Sequence, residues 1–321
     1  MNPVCDLINI KYPIVQGGMG NISNAPLTAA VSNTGGLGTL GCGTMTPEEV
    51  ELKILETKKL TDQPFAINIA LGVTPHVKEL VKLVIDHDIP VVSLSAGNPA
   101  PFIPVFHEHG IKVMTLVASV KHAKKAEEAG ADILVAEGYE AAGINSNLEL
   151  TTFTLVPQIA ENVSVPVIAA GGIGDGKGLS AALMLGANGV QMGTRLIATQ
   201  EAPFHIHYKQ KLLDDNGTGT VIVGRSVGQV RRILKTPYAE RLHDLERVGM
   251  SQDDYRTLTS EDHHCKGALE GDLENGFLNG GQVCGLIQDV PTVQQLLTGM
   301  MNEATQQVAK AKELLNINLT S

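Results

Sequence analysis

The chain has 321 residues, 43% of them hydrophobic, which is enough for one large core. A formal net charge of −10 and only 3% aromatics, with no Trp, exclude a phosphate-tracking surface and a base-stacking platform, so nucleic acid is not an expected partner. No window reaches the roughly 18 uninterrupted apolar residues of a membrane span, and the first residues lack a basic stretch leading into an apolar one, so a soluble, cytoplasmic protein is expected.

Residues 13–18, Pro-Ile-Val-Gln-Gly-Gly, read as a short apolar strand running into Gly17 and Gly18, with a helix over 24–32. A second strand over 36–41 leads to a helix from Pro47, which Thr46 can cap and whose dipole suits Glu48 and Glu49. The pattern then repeats. Strands at 64–70, 91–96, 112–118 and 133–136 alternate with helices over 76–86, from 101, over 120–129 and after 151. Residues 166–195 continue the pattern with a buried strand ending in Gly171-Gly172, a helix over 176–185 and a second strand closing on Gly193. About eight strand-helix units with short connections between 13 and 200 predict a (β/α)8 TIM barrel. A doubly wound sheet is the alternative, but no G-x-G-x-x-G opens the first βα turn.

After Arg195 the alternation stops. Residues 200–285 read as a mainly helical lid over the C-terminal face, and 1–199 with 286–321 as the barrel, whose last helices lie within 289–315. Cys5, Cys42, Cys265 and Cys284 are far apart and form no zinc spacing, so no metal site is expected and free thiols are. His205 and His207, like the pair His263 and His264, read as surface or loop histidines without supporting ligands. Arg225, Arg231, Arg232 and Lys235 could face a phosphate, with a solvated helix face as the default reading.

Active sites of such barrels gather at the strand C-terminal ends. Two glycine-edged strand ends, at 171–172 and 193, lie near the start of the helix after Gly171-Gly172, a combination that suits phosphate. The polar candidates are Gln16, Asn68, Ser95, Glu137, Asn145 and Gln191. Asn68 interrupts an apolar strand and needs either a ligand or a neighbouring strand to satisfy its amide. Glu137 is open to the same two readings.

Six motifs in one order carry a resemblance. Tyr-Pro-Ile-Val-Gln-Gly-Gly-Met at 12–19, Ser-Asn-Thr-Gly-Gly-Leu-Gly at 32–38, Phe-Ala-Ile-Asn-Ile at 65–69, Ala-Glu-Gly-Tyr-Glu-Ala-Ala-Gly at 136–143, Pro-Val-Ile-Ala-Ala-Gly-Gly-Ile at 166–173 and Val-Gln-Met-Gly-Thr-Arg at 190–195 resemble the nitronate monooxygenase family. That family includes the flavin-dependent enoyl-acyl carrier protein reductase II, which this chain resembles in length and layout. The resemblance implies FMN, with its phosphate at Gly172, Gly193 and Thr194 and its ring near Gly17, Gly18, Met19 and Asn68, and with Gln16 and Gly171 as further cofactor-binding residues. Glu137, Gly143 and Gln191 would be neighbours of the flavin, and Gly-Gly-Gln at 280–282 would close over the ring.

In one place the chain departs from the pattern. Where relatives have Gly-Gly-His-x-Gly, it reads Ala142-Gly143-Ile144-Asn145-Ser146, so the acid-base histidine is replaced by Ile144. Asn145 and Ser146 are the remaining catalytic candidates, though both are weak proton carriers. The resemblance implies oxidation of alkyl nitronates by O2. The alternatives are NADH- or NADPH-driven reduction of an enoyl thioester or quinone, and a flavin-binding protein without catalysis. A homodimer is compatible with all three.

Overall fold

The computed structural model describes residues 2–315. Its strands are β1 (Ile14–Gln16), β2 (Gly38–Gly41), β3 (Phe65–Ala70), β4 (Val91–Ser95), β5 (Lys112–Val117), β6 (Ile133–Glu137), β7 (Gly143–Ile144), β8 (Val167–Ala170), β9 (Gly189–Met192), β10 (Thr220–Val223) and β11 (Arg231–Leu234). Eight of them pair in the order β1-β9-β8-β6-β5-β4-β3-β2, every pairing parallel. A parallel bridge between Val15 and Leu37 closes the ring. Across it Gln16 N donates to Leu37 O at 2.9 Å and Leu37 N to Ile14 O at 3.0 Å. The expected TIM barrel is what forms.

The strands are apolar on both faces because both faces are covered. Val15, Leu37, Ala66, Val91, Met114, Ile133, Val135 and Ile168 point inward and pack with Val4 and Ile8. Those last two come from a helix, Pro3–Ile8, that plugs the N-terminal end of the barrel. Asn2 caps it, accepting from Val4 N at 3.0 Å and Cys5 N at 3.2 Å. Alternate strand residues point outward, among them Ile67, Val92, Leu134 and Val190, and pack against the ring of helices. Thr46 and Glu49 form a capping box at the start of Pro47–Leu60, as the sequence indicates.

The lid is mainly helical, as the sequence indicates, and it also contributes two strands to a small sheet. That sheet is three-stranded and antiparallel, in the order β10-β11-β7, and β7 belongs to the barrel loop that follows β6. Lid and barrel therefore share a sheet, and Arg231 of β11 stands opposite Ile144 of β7. The lid also has a core of its own, formed by Val223, Ile233, Tyr238, Leu242, Tyr255 and Phe277. The helix Val293–Leu314 returns to the barrel against helices Gly176–Met184 and Ala25–Thr34.

Candidate active site

The inward-facing residues that form the packed layer at the bottom of the barrel become polar or small at the top. On β3 the inward series is Ala66 then Asn68, on β4 Val91, Ser93 and Ser95, and on β6 Ile133, Val135 and Glu137. Glu137 is in register with Ala170, and Ala170 with Gln191, so a methyl group separates two long polar side chains at one level. Above this level a cavity of about 900 Å³ opens under the lid.

The cavity brings together most of the residues singled out in the sequence. Gly17, Gly18, Met19, Asn68, Ser95, Glu137, Gly143, Asn145, Ser146, Gly171, Gly172, Gln191, Gly193 and Thr194 all line it. Asn68 ties neighbouring strands together. Its Nδ2 reaches Ser93 O at 3.2 Å, Ser93 Oγ at 3.3 Å and Ser95 Oγ at 3.2 Å, tying β3 to β4. It also packs so closely over residue 18 that a Cβ there would come within 2.6 Å of the Asn68 Cβ, which leaves room only for glycine. Burial, with nothing to offset it, pushes the Glu137 carboxyl up to about 7.

The two glycine-edged strand ends form a cradle. Gly171 and Gly172 have φ of +98° and +75°, a region that L side chains resist. A Cβ built at Gly193 would meet nothing within 4 Å, so that backbone faces open space. A strap from the lid crosses this end of the cavity. Gly281 N donates to Thr194 Oγ1 at 3.0 Å, and Gln282 N to Glu140 O at 2.9 Å.

Several sequence expectations are corrected. Gln16 is fully buried, donates from Nε2 to Thr39 O at 3.0 Å and does not line the cavity. Strand alternation explains this: Val15 points into the barrel, so Gln16 points to the helix layer with Ile14. The helix after Gly171-Gly172 offers no free N-terminus to an anion. Asp175 accepts from Gly178 N at 2.8 Å and Glu303 from Gly176 N at 2.8 Å, so two carboxylates already stand there. Asn145 and Ser146 do line the cavity, and their side chains also brace their own loop. Asn145 Nδ2 donates to Ala141 O at 2.9 Å and Gly143 O at 3.3 Å, and Ser146 Oγ accepts from Leu148 N at 3.2 Å.

The lid contributes residues that the sequence pattern hid. His264 is not a surface residue: it is 2% exposed and lines the cavity. Arg231 and Arg232 are buried on a strand, not solvated on a helix, and Arg231 lines the cavity with Glu261 and Asn279. Glu261 Oε2 lies 3.7 Å from His264 Nδ1 and accepts Asn21 N at 3.0 Å, joining the lid to the loop after β1. Burial would raise the Glu261 carboxyl, but the His264 ring, the Arg231 charge and the Asn21 amide together outweigh it and pull it down to about 2. The remaining pair of histidines behaves differently: His205 Nδ1 accepts from His207 N at 3.2 Å, and neither residue lines the cavity. Among the described residues no cluster of three or more His, Cys, Asp or Glu could hold a metal ion, and no helix is long and apolar enough to cross a membrane.

Residues 2–79 and 66–303 match the model of the nitronate monooxygenase family. The chain belongs to the nitronate monooxygenase family. The protein is thus an enzyme, of a family of flavin-dependent oxidoreductases, and the reading without catalysis ends here. Among relatives, it is 32% identical to the (3aS,4S,5R,7aS)-5-hydroxy-7a-methyl-1-oxo-octahydro-1H-indene-4-carboxyl-CoA dehydrogenase of Mycobacterium tuberculosis, over 98% of each chain. It is also 32% identical to a probable nitronate monooxygenase of Staphylococcus saprophyticus, over 76% of this chain and 81% of the other. Among solved structures, FabK from Thermotoga maritima superimposes with a TM-score of 0.93 at 40% identity, over 98% of this chain and 99% of the other. The nitroalkane oxidase of Streptomyces ansochromogenes gives 0.84 at 25% identity, over 96% and 99%.

Proposed function

We propose that this nitronate monooxygenase family member uses FMN to reduce the carbon chain of an acyl thioester, drawing electrons from NADH or NADPH. The observation that carries this reading is the size of the cavity. At about 900 Å³ it lies near the top of the range of 300–1,000 Å³ usual for ligand pockets, more space than one small nitronate occupies. A small nitronate would leave much of that space to water. Along its wall run Val73, Ala96, Ala118 and Ile144, which suit an acyl chain, with His122 and Lys125 as basic groups for phosphate. End-to-end likeness to FabK and to a CoA-thioester dehydrogenase supports the same substrate class.

The residues fit the cofactor. In this reading the backbone at Gly171, Gly172 and Gly193, with Thr194, holds the FMN phosphate, and Gly17, Gly18, Met19 and Asn68 hold the ring, with Gly143 and Gln191 beside it. When bound, FMN supplies the hydride chemistry that no protein side chain can. The protein binds, orients and excludes water. Glu137, pushed up to about 7, is close to half protonated at neutral pH and can donate a hydrogen bond as well as accept one.

A second reading, oxidation of alkyl nitronates by O2, has one observation in its favour: Ile144 cannot deprotonate carbon, and a nitronate that arrives ionised needs no base. Anaerobic mixing separates the two. If NADPH or NADH bleaches the flavin and crotonyl-CoA restores its colour, the thioester reading stands; bleaching by propyl-2-nitronate alone overturns it. The cradle has its own test. Gly193→Val should fold like the wild type, because its side chain enters open space, but bind FMN at least about tenfold more weakly by flavin fluorescence.

A further inference from the structure

The loop position where the family carries its acid-base histidine is Ile144, yet reduction of a carbon–carbon double bond requires a proton as well as a hydride. Four contacts lead from that loop to another imidazole. Ile144 is paired across the sheet with Arg231. Arg231 Nη1 donates to Asn279 Oδ1 at 3.4 Å. A Cβ at Gly143 would lie 3.7 Å from the Asn279 side chain, so the same amide also abuts the loop. On its other side, Asn279 Nδ2 lies 3.2 Å from Nε2 and 3.4 Å from Nδ1 of His264.

His264 is built as a held side chain with a face in the cavity. Its ring stacks on Phe277 with centroids 5.2 Å apart and planes 10° apart, which sets its orientation. Glu261, one turn earlier on the same short helix, is the carboxylate next to it. The Tyr208 hydroxyl donates to Asn279 O, and Tyr208 is fully buried, so the bridging amide is anchored from below. The charged and titratable groups facing this cluster are Glu261, Arg231 and, behind Arg231, Tyr255. An imidazolium at 264 therefore has a carboxylate to balance it, and Arg231 helps keep that carboxylate ionised.

We infer that His264, oriented by Glu261 and Asn279, is the catalytic residue that exchanges the proton with the bound substrate, performing from the lid what the barrel loop cannot perform at Ile144. The inference rests on the flavin reading above. The balance is simple: the imidazolium gives one proton to the substrate carbon that the hydride leaves as a carbanion, is left as neutral imidazole, and regains a proton from water. Glu261 is a positioning residue.

The test has two arms. In the first, wild-type protein with 13C-labelled histidines is titrated with FMN, the His264 signal being identified by its loss in His264→Gln. A shift of that signal at saturation is expected, and an unmoved signal overturns the inference. In the second, His264→Gln should keep FMN affinity and its visible spectrum while kcat/KM for crotonyl-CoA falls at least about 100-fold. Adding Ile144→His to that variant should restore at least about tenfold of the loss. Glu261→Gln should lower kcat about tenfold with KM little changed. Flavin-loaded His264→Gln with wild-type turnover overturns this inference alone, whereas wild-type protein that takes up no flavin overturns the functional reading and this one with it.

Discussion

Glu137 shows how a single inward position sets chemistry and stability together. Its carboxyl is held near 7 by burial, while in the unfolded chain it titrates at its ordinary 4.5. Between those values the folded protein keeps a proton that the unfolded chain has released, so its contribution to stability is full below 4.5 and is lost as pH rises through 7. At about 1.4 kcal/mol per pH unit, the decline amounts to about 3 kcal/mol as an upper figure. Glu137→Gln should abolish it and be more stable than wild type at pH 8 by about 2–3 kcal/mol, measured by urea unfolding at pH 4.5 and 8. Equal pH slopes for the two proteins would show that the carboxyl is well solvated. The thiols lie at the inert extreme of the same effect, since burial pushes Cys42 up to about 12.

Among the elements, the barrel strands were legible because each is a short apolar run ending in glycine or a small polar residue. The helix Pro3–Ile8 was not, since six residues carry too little periodicity to register. Its contribution can be measured directly. Asn2→Ala removes the cap of this helix and the Nδ2 bond to Asn188 O, and should cost about 1 kcal/mol in chemical denaturation. FMN affinity should be unchanged, because the plug sits at the opposite end of the barrel from the cavity. Strand β11 was hidden for another reason. It opens with two arginines, a pattern that reads as a solvated helix face. In the folded chain both are buried: Arg232 donates to Tyr139 O at 2.9 and 3.1 Å, and Arg231 lies over the Phe277 ring at 5.1 Å from its centroid.

Across the whole molecule, the cavity exists only because lid and barrel are joined by the β10-β11-β7 sheet and by the strap at Gly281 and Gln282. A cofactor bound between them should stabilise both. At a free FMN concentration 100 times Kd, the gain is about 2.7 kcal/mol, read as a rise in Tm that Gly193→Val should lose at the same concentration. An unmoved wild-type Tm would mean that FMN does not bind the folded protein at that concentration. The amino-acid order alone determined the barrel and the glycine-edged strand ends at 171–172 and 193, because both depend on period or turn chemistry within a few residues. Only the tertiary structure decided that Gln16 faces the helices, that the helix after Gly171-Gly172 is already capped by carboxylates, and that Arg231, Glu261, His264 and Asn279 meet at one wall. Strand parity must be counted from a closed ring, and long-range contacts such as those of Asn21 with Glu261 and Ile144 with Arg231 carry no local signal for a sequence to show.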